Sequence, residues 1–233
     1  MSVSNLDDLK RQAAIKSVDY VRDGMVVGLG TGSTAKHMII ALGERVKKGL
    51  KIMGVPTSKE TADLARKIGI ALIETEDQWS IDVTIDGADQ VDPQLNLIKG
   101  GGGALLKEKV VAAAARQLII VVDHTKCVPV LGGTFPLPVE VVPFGWGSTA
   151  RQIEDLGFKA VLRKKDGAIF KTEASHYILD VQIVRIDKPA ELELQLNALP
   201  GVVETGLFAG RTDILVVGTP NGVEVTHAEP RRG

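Results

Sequence analysis

The sequence predicts an α/β protein, a parallel-sheet domain with an inserted ferredoxin-like α+β domain. Two observations predict this class. Over the first half of the chain, short apolar runs alternate with helical segments, which is typical of βαβ units and a parallel sheet. After Val128 the predicted order becomes β-α-β-β-α-β, the ferredoxin-like pattern. The last two predicted strands return to the first sheet, so the predicted domains are 1–130 with 208–233, and 131–207.

In the first domain, apolar spacing and helix punctuation define each element. Leu9 and Ala13 lie on one helical stripe, and the continuous apolar run 25–29 is typical of a buried strand. Thr57 and Glu60 have the spacing of a capping box at the start of a helix. The predicted order is a helix over 6–21, a strand over 25–29, a helix over 35–46, a strand over 51–55, a helix over 57–69, strands over 71–73 and 81–86, a helix over 104–117 and a strand over 118–123.

In the second domain, prolines separate the elements. Proline lacks an N–H donor and fixes φ, so Pro129, Pro136, Pro138 and Pro143 exclude a long helix or a central strand from their stretch. The predicted order is a strand over 139–142, a helix over 148–156, strands over 159–163, 168–171 and 178–185, a helix over 190–199 and a strand over 202–208, followed by the returning strands 214–217 and 223–226.

Composition and charge exclude several classes of protein. Lys and Arg number 28 against 29 Asp and Glu, and aromatic residues make up only 4%, so we expect no nucleic-acid partner. The single Cys127 and the four scattered histidines match no metal-binding motif. The polar start of the chain and the short apolar runs predict a cytoplasmic protein with no signal peptide and no membrane span.

A Gly-rich turn between the first strand and its helix predicts an anion site, because N–H groups at a helix N-terminus bind anions. The segment comprises Thr31, Gly32, Ser33 and Thr34, whose hydroxyls add further donors. A dinucleotide fold is disfavoured because the next strand, ending at Pro56, lacks an acidic residue, and no Gly-Lys-Ser/Thr closes a P-loop. A small phosphate or polyol site is then predicted, with a plain capped βα turn as the alternative.

Two carboxylates follow the predicted strand 81–86 directly. The segment comprises Asp86, Gly87, Ala88 and Asp89. In a parallel sheet it lies at the carboxyl edge, where ligands bind, and paired carboxylates suit hydroxyl recognition or proton transfer. The alternative is an Asp-rich turn capped by its own side chains, and the residues leave both interpretations open.

A run of glycines follows Lys99 and precedes the helix that carries Glu108. The run comprises Gly100, Gly101, Gly102 and Gly103. Consecutive glycines cost conformational entropy, so the run predicts close approach of the backbone to a ligand, with Lys99 as a cation beside it. For Glu108, which lies between Lys107 and Lys109, the alternative is a solvated helix residue.

A fourth cluster, Asp123 to Lys126, follows another predicted strand. Lys126 is a candidate to bind a phosphate as a point charge. The alternative is an ordinary surface lysine.

In this order, the four clusters resemble the type A ribose-5-phosphate isomerase family. The similarity extends over essentially the whole chain, and the ordered set is far more specific than any single motif. Two positions depart from the family pattern, since Gln90 stands where an acid often follows the second Asp and Lys107 replaces a frequent Arg. Neither residue is assigned to the chemistry.

The resemblance implies a fold, an activity and an assembly. It implies a Rossmann-like domain with a ferredoxin-like domain, in a homodimer or homotetramer. The implied activity is the reversible conversion of D-ribose 5-phosphate to D-ribulose 5-phosphate in the pentose phosphate pathway. The implied partner is therefore a small sugar phosphate, and neither a metal nor an organic cofactor is implied.

The resemblance also assigns binding residues. It implies that residues 31–34 form the substrate loop, with Lys10 and Lys126 near the phosphate. Asp86 and Asp89 are implied to contact sugar hydroxyls. Residues 87–88, between the two aspartates, and residues 100–102, after Lys99, complete the implied binding surface.

The implied catalytic residues fit the chemistry of an aldose–ketose isomerase. One carboxylate that faces a planar cis-enediolate can take a proton from C2 and deliver it to C1, and the resemblance implies that this is Glu108. Lys99 is implied to approach the reacting oxygens, where a cation stabilises developing negative charge. Asp86 or Asp89 suits ring opening and proton transfer between oxygens, and the sequence leaves open which of them does so.

Two functions from other classes use the same residues. A non-catalytic sugar-phosphate sensor would bind its ligand without turnover. An acyl or CoA transferase of related fold would use a Glu as nucleophile and form an acyl-glutamyl species. An isomerase instead exchanges a C–H proton with solvent.

Overall fold

The computed structural model describes residues 3–73 and 78–229, so the ends of the predicted first domain, 1–2 and 230–233, lie outside the described residues. The α-helices in chain order are α1 (Val3–Ser17), α2 (Ser33–Lys47), α3 (Lys59–Ile68), α4 (Leu105–Ala114), α5 (Trp146–Asp155) and α6 (Pro189–Asn197). The strands in chain order are β1 (Val26–Leu29), β2 (Met53–Pro56), β3 (Ala71–Leu72), β4 (Val83–Asp86), β5 (Gln90–Val91), β6 (Leu97–Ile98), β7 (Leu118–Asp123), β8 (Leu137–Val141), β9 (Lys159–Leu162), β10 (Lys164–Lys165), β11 (Ala168–Ile169), β12 (Tyr177–Gln182), β13 (Val202–Thr205), β14 (Leu207–Phe208), β15 (Ile214–Thr219) and β16 (Gly222–His227).

The chain separates into two compact units. The first unit comprises Met1–Ala88, Lys107–Lys126 and Arg211–Gly233. The second comprises Asp89–Leu106 and Cys127–Gly210. The chain therefore passes into the second unit twice before it returns to complete the first, and the domain boundaries proposed from the sequence stay a prediction.

The first unit is built on a mainly parallel sheet. Its strand order is β16-β15-β7-β4-β1-β2-β3, and β16 alone of these strands is antiparallel to its neighbour. The strand order reverses between β1 and β4, and ligands of such sheets bind outside the carboxyl ends of the strands at that point. The predicted Rossmann-like sheet, including the return of the last two strands, is confirmed.

The core of the first unit forms where helices pack on this sheet. Ala13 of α1, Met38 of α2 and Ala65 of α3 are completely buried there. They pack with aliphatic residues of the strands, such as Leu29 and Ile119. The stripe predicted from Leu9 and Ala13 is thus the buried face of α1, and burial of such apolar area is the main stabilising term for the unit.

The second unit contains a four-stranded antiparallel sheet with two helices. The chain runs β8-α5-β9-β12-α6-β13, and the strand order is β13-β8-β12-β9. Numbered within the motif this order is 4-1-3-2, the arrangement of a ferredoxin-like fold. Buried residues of both helices, such as Ile153 and Leu196, pack with those of the sheet, such as Val139 and Leu179. The predicted ferredoxin-like pattern is confirmed.

One proline contradicts the exclusion of a central strand. Pro138 lies within β8, which pairs with β12 on one side and β13 on the other. Its carbonyl accepts a hydrogen bond of 2.7 Å from the N–H of Gly206, just past the end of β13 at Thr205. Because the N and C=O of one residue in an antiparallel ladder face the same side, the missing donor of Pro138 faces the end of β13, where little pairing is lost.

A small three-stranded sheet in the second unit was not predicted. Its strand order is β14-β6-β5, and each strand has two residues, too few for a recognisable alternation. The sequence predicts one strand over 202–208, whereas Gly206 separates β13 from β14, which belong to different sheets. The pairing of β5 and β6 with β14 lies within the second unit, which contains Asp89–Leu106.

The helices of the described residues are all too short or too polar to cross a membrane.

Candidate active site

The turn after β1 is tied to the end of β4. The N–H of Gly30 donates to the carbonyl of Ile85 at 3.0 Å, and the N–H of Thr31 donates to Oδ1 of Asp86 at 3.1 Å. The same Oδ1 accepts the N–H of Gly87 at 2.7 Å. Asp86 therefore caps its own turn, as the alternative interpretation expected, and also holds the predicted substrate loop.

Asp86 is buried at the carboxyl edge of the sheet, with 2% of its surface exposed. A Cβ atom at position 30 would lie 2.1 Å from Oδ1 and 2.6 Å from Cα of Asp86. Only a glycine at position 30 therefore allows this approach between the end of β1 and the end of β4.

The hydroxyl of Thr31 faces the start of α3. Its Oγ1 lies 2.7 Å from Oγ1 of Thr57 and donates to Oγ of Ser58 at 2.9 Å. The helix cap predicted at Thr57 is wrong by one residue, because Oγ of Ser58 accepts the N–H of Thr61. Thr57 instead donates to the carbonyl of Leu29, and this hydroxyl cluster was missed because it joins separate βα turns.

The N-terminus of α2 has a lysine beside its first backbone N–H groups. Gly32 has φ of 108° and precedes the helix, and no side chain caps the first turn. Nζ of Lys10 lies 3.3 Å from Oγ of Ser33 and 4.0 Å from Oδ2 of Asp123. Ser33 is exposed while Thr34 is buried. Helix N–H groups together with a lysine form a site with affinity for an anion.

Lys126 follows β7 in a short 3₁₀ turn and is half-buried. Over the ranges that the structure describes, it has no ion-pair partner. Its turn begins at Asp123, whose Oδ1 accepts hydrogen bonds from the N–H and the hydroxyl of Thr125. Asp123 thus fixes the turn and, at 4.0 Å, also faces Lys10.

Glu108 lies in the first turn of α4 and is buried, with 5% of its surface exposed. Lys109 is buried as well, whereas Lys107 is exposed. Val111, one turn further along the same helix face, packs with Val55 of β2. The alternative of a solvated helix residue is therefore wrong, since Glu108 lies on a buried face of the helix.

In the second unit, Asp89 is held by the glycine run. Its Oδ2 accepts the N–H of Gly101 at 2.8 Å, and its own N–H donates to the carbonyl of Ile98 at 2.8 Å. The run itself turns sharply, because Gly100 and Gly103 have φ of 98° and 85°. Gly102 is exposed, with open space where a side chain would be.

Lys99 is buried, with 3% of its surface exposed. Its backbone N–H donates to the carbonyl of Gly206, and its Nζ lies 5.5 Å from the centroid of the Phe208 ring. A cation at this distance from an aromatic face is stabilised by the ring quadrupole. The predicted cation beside the glycine run is therefore supported by an aromatic ring from β14.

Arg163 was missed by the sequence analysis. Its Nη1 donates to the carbonyls of Gly100 and Gly101 at 2.8 and 3.1 Å, and its Nε donates to Asp180 at 2.9 Å. In the sequence it stands beside two lysines and is indistinguishable from a surface charge. The available signal was Asp180, a charged residue inside an apolar strand, because a partly buried charge needs a partner.

Glu140 on β8 is buried, and burial raises its pKa above the ordinary value. The hydroxyl of Thr172 donates to its Oε1 at 2.9 Å, Nδ1 of His176 lies 3.0 Å from the same atom, and the backbone N–H of Leu106 also faces the carboxyl group. Glu140 thereby holds the first turn of α4 two residues before Glu108.

We expect Glu140→Gln to flatten the pH dependence of stability. With a raised pKa, the folded state retains the carboxyl proton to higher pH than the unfolded chain. The stability from this group is therefore present at low pH and is lost as pH rises through the folded pKa. Urea titrations from acidic to neutral pH should show a smaller loss of unfolding free energy in the variant, and an equal loss in both proteins would contradict this.

Fold and side chains together define an α/β enzyme for a small anionic substrate. The first unit has an anion-binding helix N-terminus and buried carboxylates. The second unit has Asp89, Lys99 and the glycine run. Among residues 3–73 and 78–229, no three His, Cys, Asp or Glu side chains are grouped to hold a metal ion.

Comparison with known proteins identifies the family. Residues 53–222 match the family model of ribose 5-phosphate isomerase A (phosphoriboisomerase A). The chain is 50% identical over 240 residues to ribose-5-phosphate isomerase A of Bradyrhizobium diazoefficiens, with 98% of this chain and 99% of the relative covered. The chain belongs to the ribose-5-phosphate isomerase A family.

Solved structures agree with this result. One is a D-ribose-5-phosphate isomerase in complex with phospho-erythronic acid, with a TM-score of 0.92, 40% identity, and coverage of 96% of this chain and 99% of that chain. Another is ribose 5-phosphate isomerase A from Methanocaldococcus jannaschii, with a TM-score of 0.91, 41% identity, and coverage of 95% and 99%. The predicted family resemblance is confirmed.

Proposed function

We propose that Glu108 is the general base with which this chain interconverts D-ribose 5-phosphate and D-ribulose 5-phosphate. By its family the chain is an aldose–ketose isomerase of the pentose phosphate pathway. The observation that carries the role of Glu108 is its burial in the first turn of α4, where the positive end of the helix favours a carboxylate. Burial also keeps bulk water away from the proton that this carboxylate transfers.

The reaction moves one proton between two carbon atoms. We propose that the carboxylate of Glu108 removes the proton from C2 of the open-chain aldose, which gives a cis-enediolate with its negative charge on O1. The same carboxyl group then returns its proton to C1, and the proton of O2 passes to O1, carried by Asp86 or Asp89, as the ketone forms. The ammonium group of Lys99 stabilises the negative charge that develops on these oxygens.

Asp86 and Asp89 are proposed to bind sugar hydroxyls and to serve ring opening. Asp86 is held by two backbone N–H groups, and Asp89 by one. Both carboxylates are therefore fixed in position before substrate arrives, which reduces the entropy cost of orienting the sugar. Separate Asp86→Asn and Asp89→Asn variants identify the residue that protonates the ring oxygen, because that variant alone should lose ring opening.

The phosphate is proposed to bind at the N-terminus of α2, with Lys10 and Lys126. The helix N–H groups and Lys10, 3.3 Å from Ser33, support this assignment. A solved relative is in complex with phospho-erythronic acid, a phosphorylated sugar acid. Phosphorylated ligands with several further oxygen atoms are therefore the class that we expect this chain to bind.

Lys126→Ala should raise KM for ribose 5-phosphate with little change in kcat. A contact to the phosphate is the same in ground and transition states, so its loss weakens binding alone. A hydrogen bond to a charged group contributes about 1.5–3 kcal/mol, which corresponds to roughly 10–100-fold in KM. Steady-state kinetics would test this, with Lys48→Ala, at the far end of α2, as the matched lysine control. A lower kcat at unchanged KM would contradict the assignment.

Activity should survive exhaustive chelation. The proposed proton transfers use Glu108, Lys99 and the two aspartates, and require no Lewis acid. A discontinuous assay of ketopentose formed from ribose 5-phosphate, with and without EDTA, tests both the function and its mechanism. Loss on EDTA with recovery on a divalent ion would refute the enediol route. Binding without turnover would indicate a sensor, and a trapped acyl-glutamyl species a transferase.

We further propose a cytoplasmic homodimer or homotetramer. Individual exposed apolar side chains in the second unit are candidates for such an interface, since Phe144 is 94% exposed, Val184 87% and Leu194 73%. Light scattering at several protein concentrations measures the mass directly. A monomer at all concentrations would contradict the proposal.

A further inference from the structure

A single peptide group joins Arg163 to Asp89. The carbonyl of Gly100 accepts a hydrogen bond of 2.8 Å from Nη1 of Arg163. The N–H of Gly101, the other end of the same peptide group, donates to Oδ2 of Asp89 at 2.8 Å. Guanidinium, peptide and carboxylate thus form one continuous series of hydrogen bonds within the second unit.

Arg163 is fixed by its own surroundings. Its Nε donates to Oδ2 of Asp180 at 2.9 Å, and its Cζ lies 5.9 Å from the centroid of the Phe170 ring. Its backbone N–H donates to the carbonyl of Ile178 at 2.8 Å, which extends the ladder between β9 and β12 by one residue. Only 13% of the Arg163 side chain is exposed. The guanidinium group is therefore already oriented toward the glycine run.

A cation that bonds to a peptide carbonyl makes the N–H of the same peptide group a stronger hydrogen-bond donor. Charge-assisted hydrogen bonds polarise the groups that they join, and bonds in series reinforce one another. Space is also limited, since a Cβ atom at position 101 would lie 2.8 Å from Oδ1 and 3.0 Å from Oδ2 of Asp89. The carboxylate orientation therefore depends on where Arg163 holds this peptide.

We propose that Arg163 is a positioning residue that orients Asp89 for the isomerisation through the Gly100–Gly101 peptide. The proposal rests on the proposed role of Asp89 in binding and proton transfer. Arg163 is not proposed to touch the substrate. It fixes the carboxylate that does, and Asp180 in turn fixes Arg163.

A double-mutant cycle tests the proposal. Arg163→Lys keeps the charge but lacks the planar fork that bonds both oxygens of Asp180 through Nε and Nη2 while Nη1 bonds two carbonyls. We expect it to lower kcat by about tenfold or more, whereas in the Asp89→Asn background the same change should alter kcat by less than about twofold. Arg185→Lys, at an exposed ion pair with Asp187, is the matched control and should retain wild-type kinetics.

A second variant and a spectroscopic signal guard against a folding defect. Asp180→Asn leaves Arg163 in place but loosens it, and should give a smaller loss of kcat that also disappears in the Asp89→Asn background. In ¹⁵N-labelled protein the amide proton of Gly101 should shift upfield in Arg163→Lys, because the bond to Asp89 weakens. An unchanged Gly101 amide would overturn the proposal.

Failure of this proposal is distinguishable from failure of the proposed function. If Arg163→Lys leaves kcat unchanged, or if its effect multiplies with that of Asp89→Asn, Arg163 does not act through Asp89 while the catalytic assignment stands. If Asp89→Asn itself turns over like the wild type, the role of Asp89 is wrong and the positioning role of Arg163 falls with it.

Discussion

Replacing Glu108 by Gln is expected to lower kcat by at least about 10²–10⁴-fold, the usual contribution of a positioned general base. Gln preserves the size of the side chain and most of its hydrogen bonds but cannot accept the C2 proton. Substrate binding uses other groups, so KM should stay nearly unchanged. Exchange of the substrate C2 proton with solvent, followed by NMR in ²H₂O, should fall in parallel with kcat.

Asp86→Asn and Asp89→Asn are the matched carboxylate controls for this experiment. Either change should impair turnover through hydroxyl binding or ring opening. Open-chain substrate that does bind should still exchange its C2 proton, since Glu108 is intact. Near wild-type turnover in Glu108→Gln, together with loss of C2 exchange in one Asn variant, would transfer the role of base to that aspartate.

Gly30→Ala should also lower kcat strongly, although residue 30 has no side chain that takes part in the reaction. The added methyl group would lie 2.1 Å from Oδ1 and 2.6 Å from Cα of Asp86, so backbone as well as side chain must move. Overpacking of this kind costs about 1–3 kcal/mol in stability. A displacement of Asp86 by about 1 Å can cost on the order of 10²-fold in rate.

Gly147→Ala provides the matched control for that substitution. Gly147 lies in α5, and a Cβ atom there meets nothing within 4 Å. Because Ala favours a helix by about 1 kcal/mol over Gly, this variant should keep full activity and unfold at the same or a higher temperature. Wild-type kcat and unfolding temperature in Gly30→Ala would show that the ends of β1 and β4 can separate at little cost.

The sequence was most informative where function constrains residue type locally. The glycine run and the carboxylates after a strand are local patterns, and both indicated the candidate site residues that are proposed above. The burial of Glu108 was not encoded in its neighbours, since Lys107 and Lys109 are typical of a solvated face. Its burial comes from the packing of α4 through Val111, a tertiary contact.

Contacts between distant segments were beyond sequence reasoning. The hydrogen bond from Arg163 to Gly100 spans 63 residues, and no local pattern predicts it. Two-residue strands such as β5 are shorter than the period needed to recognise alternation. The prediction from Pro138 was wrong for a related reason. A proline is tolerated in β8 because of where β13, Val202–Thr205, ends, and that strand begins 64 residues later in the chain.

The divided path of the first unit has a consequence for synthesis of the chain. Leu118 at the start of β7 donates its N–H to Asp213, 95 residues later, and β15 then pairs with β7 in parallel. A ribosome adding about 5–20 residues per second needs roughly 5–20 s for that interval. During this interval, the edge of β7 that later pairs with β15 has no partner strand. Folding during translation therefore leaves a parallel strand edge available to chaperones, or to another nascent chain, until Ile214–Thr219 emerges.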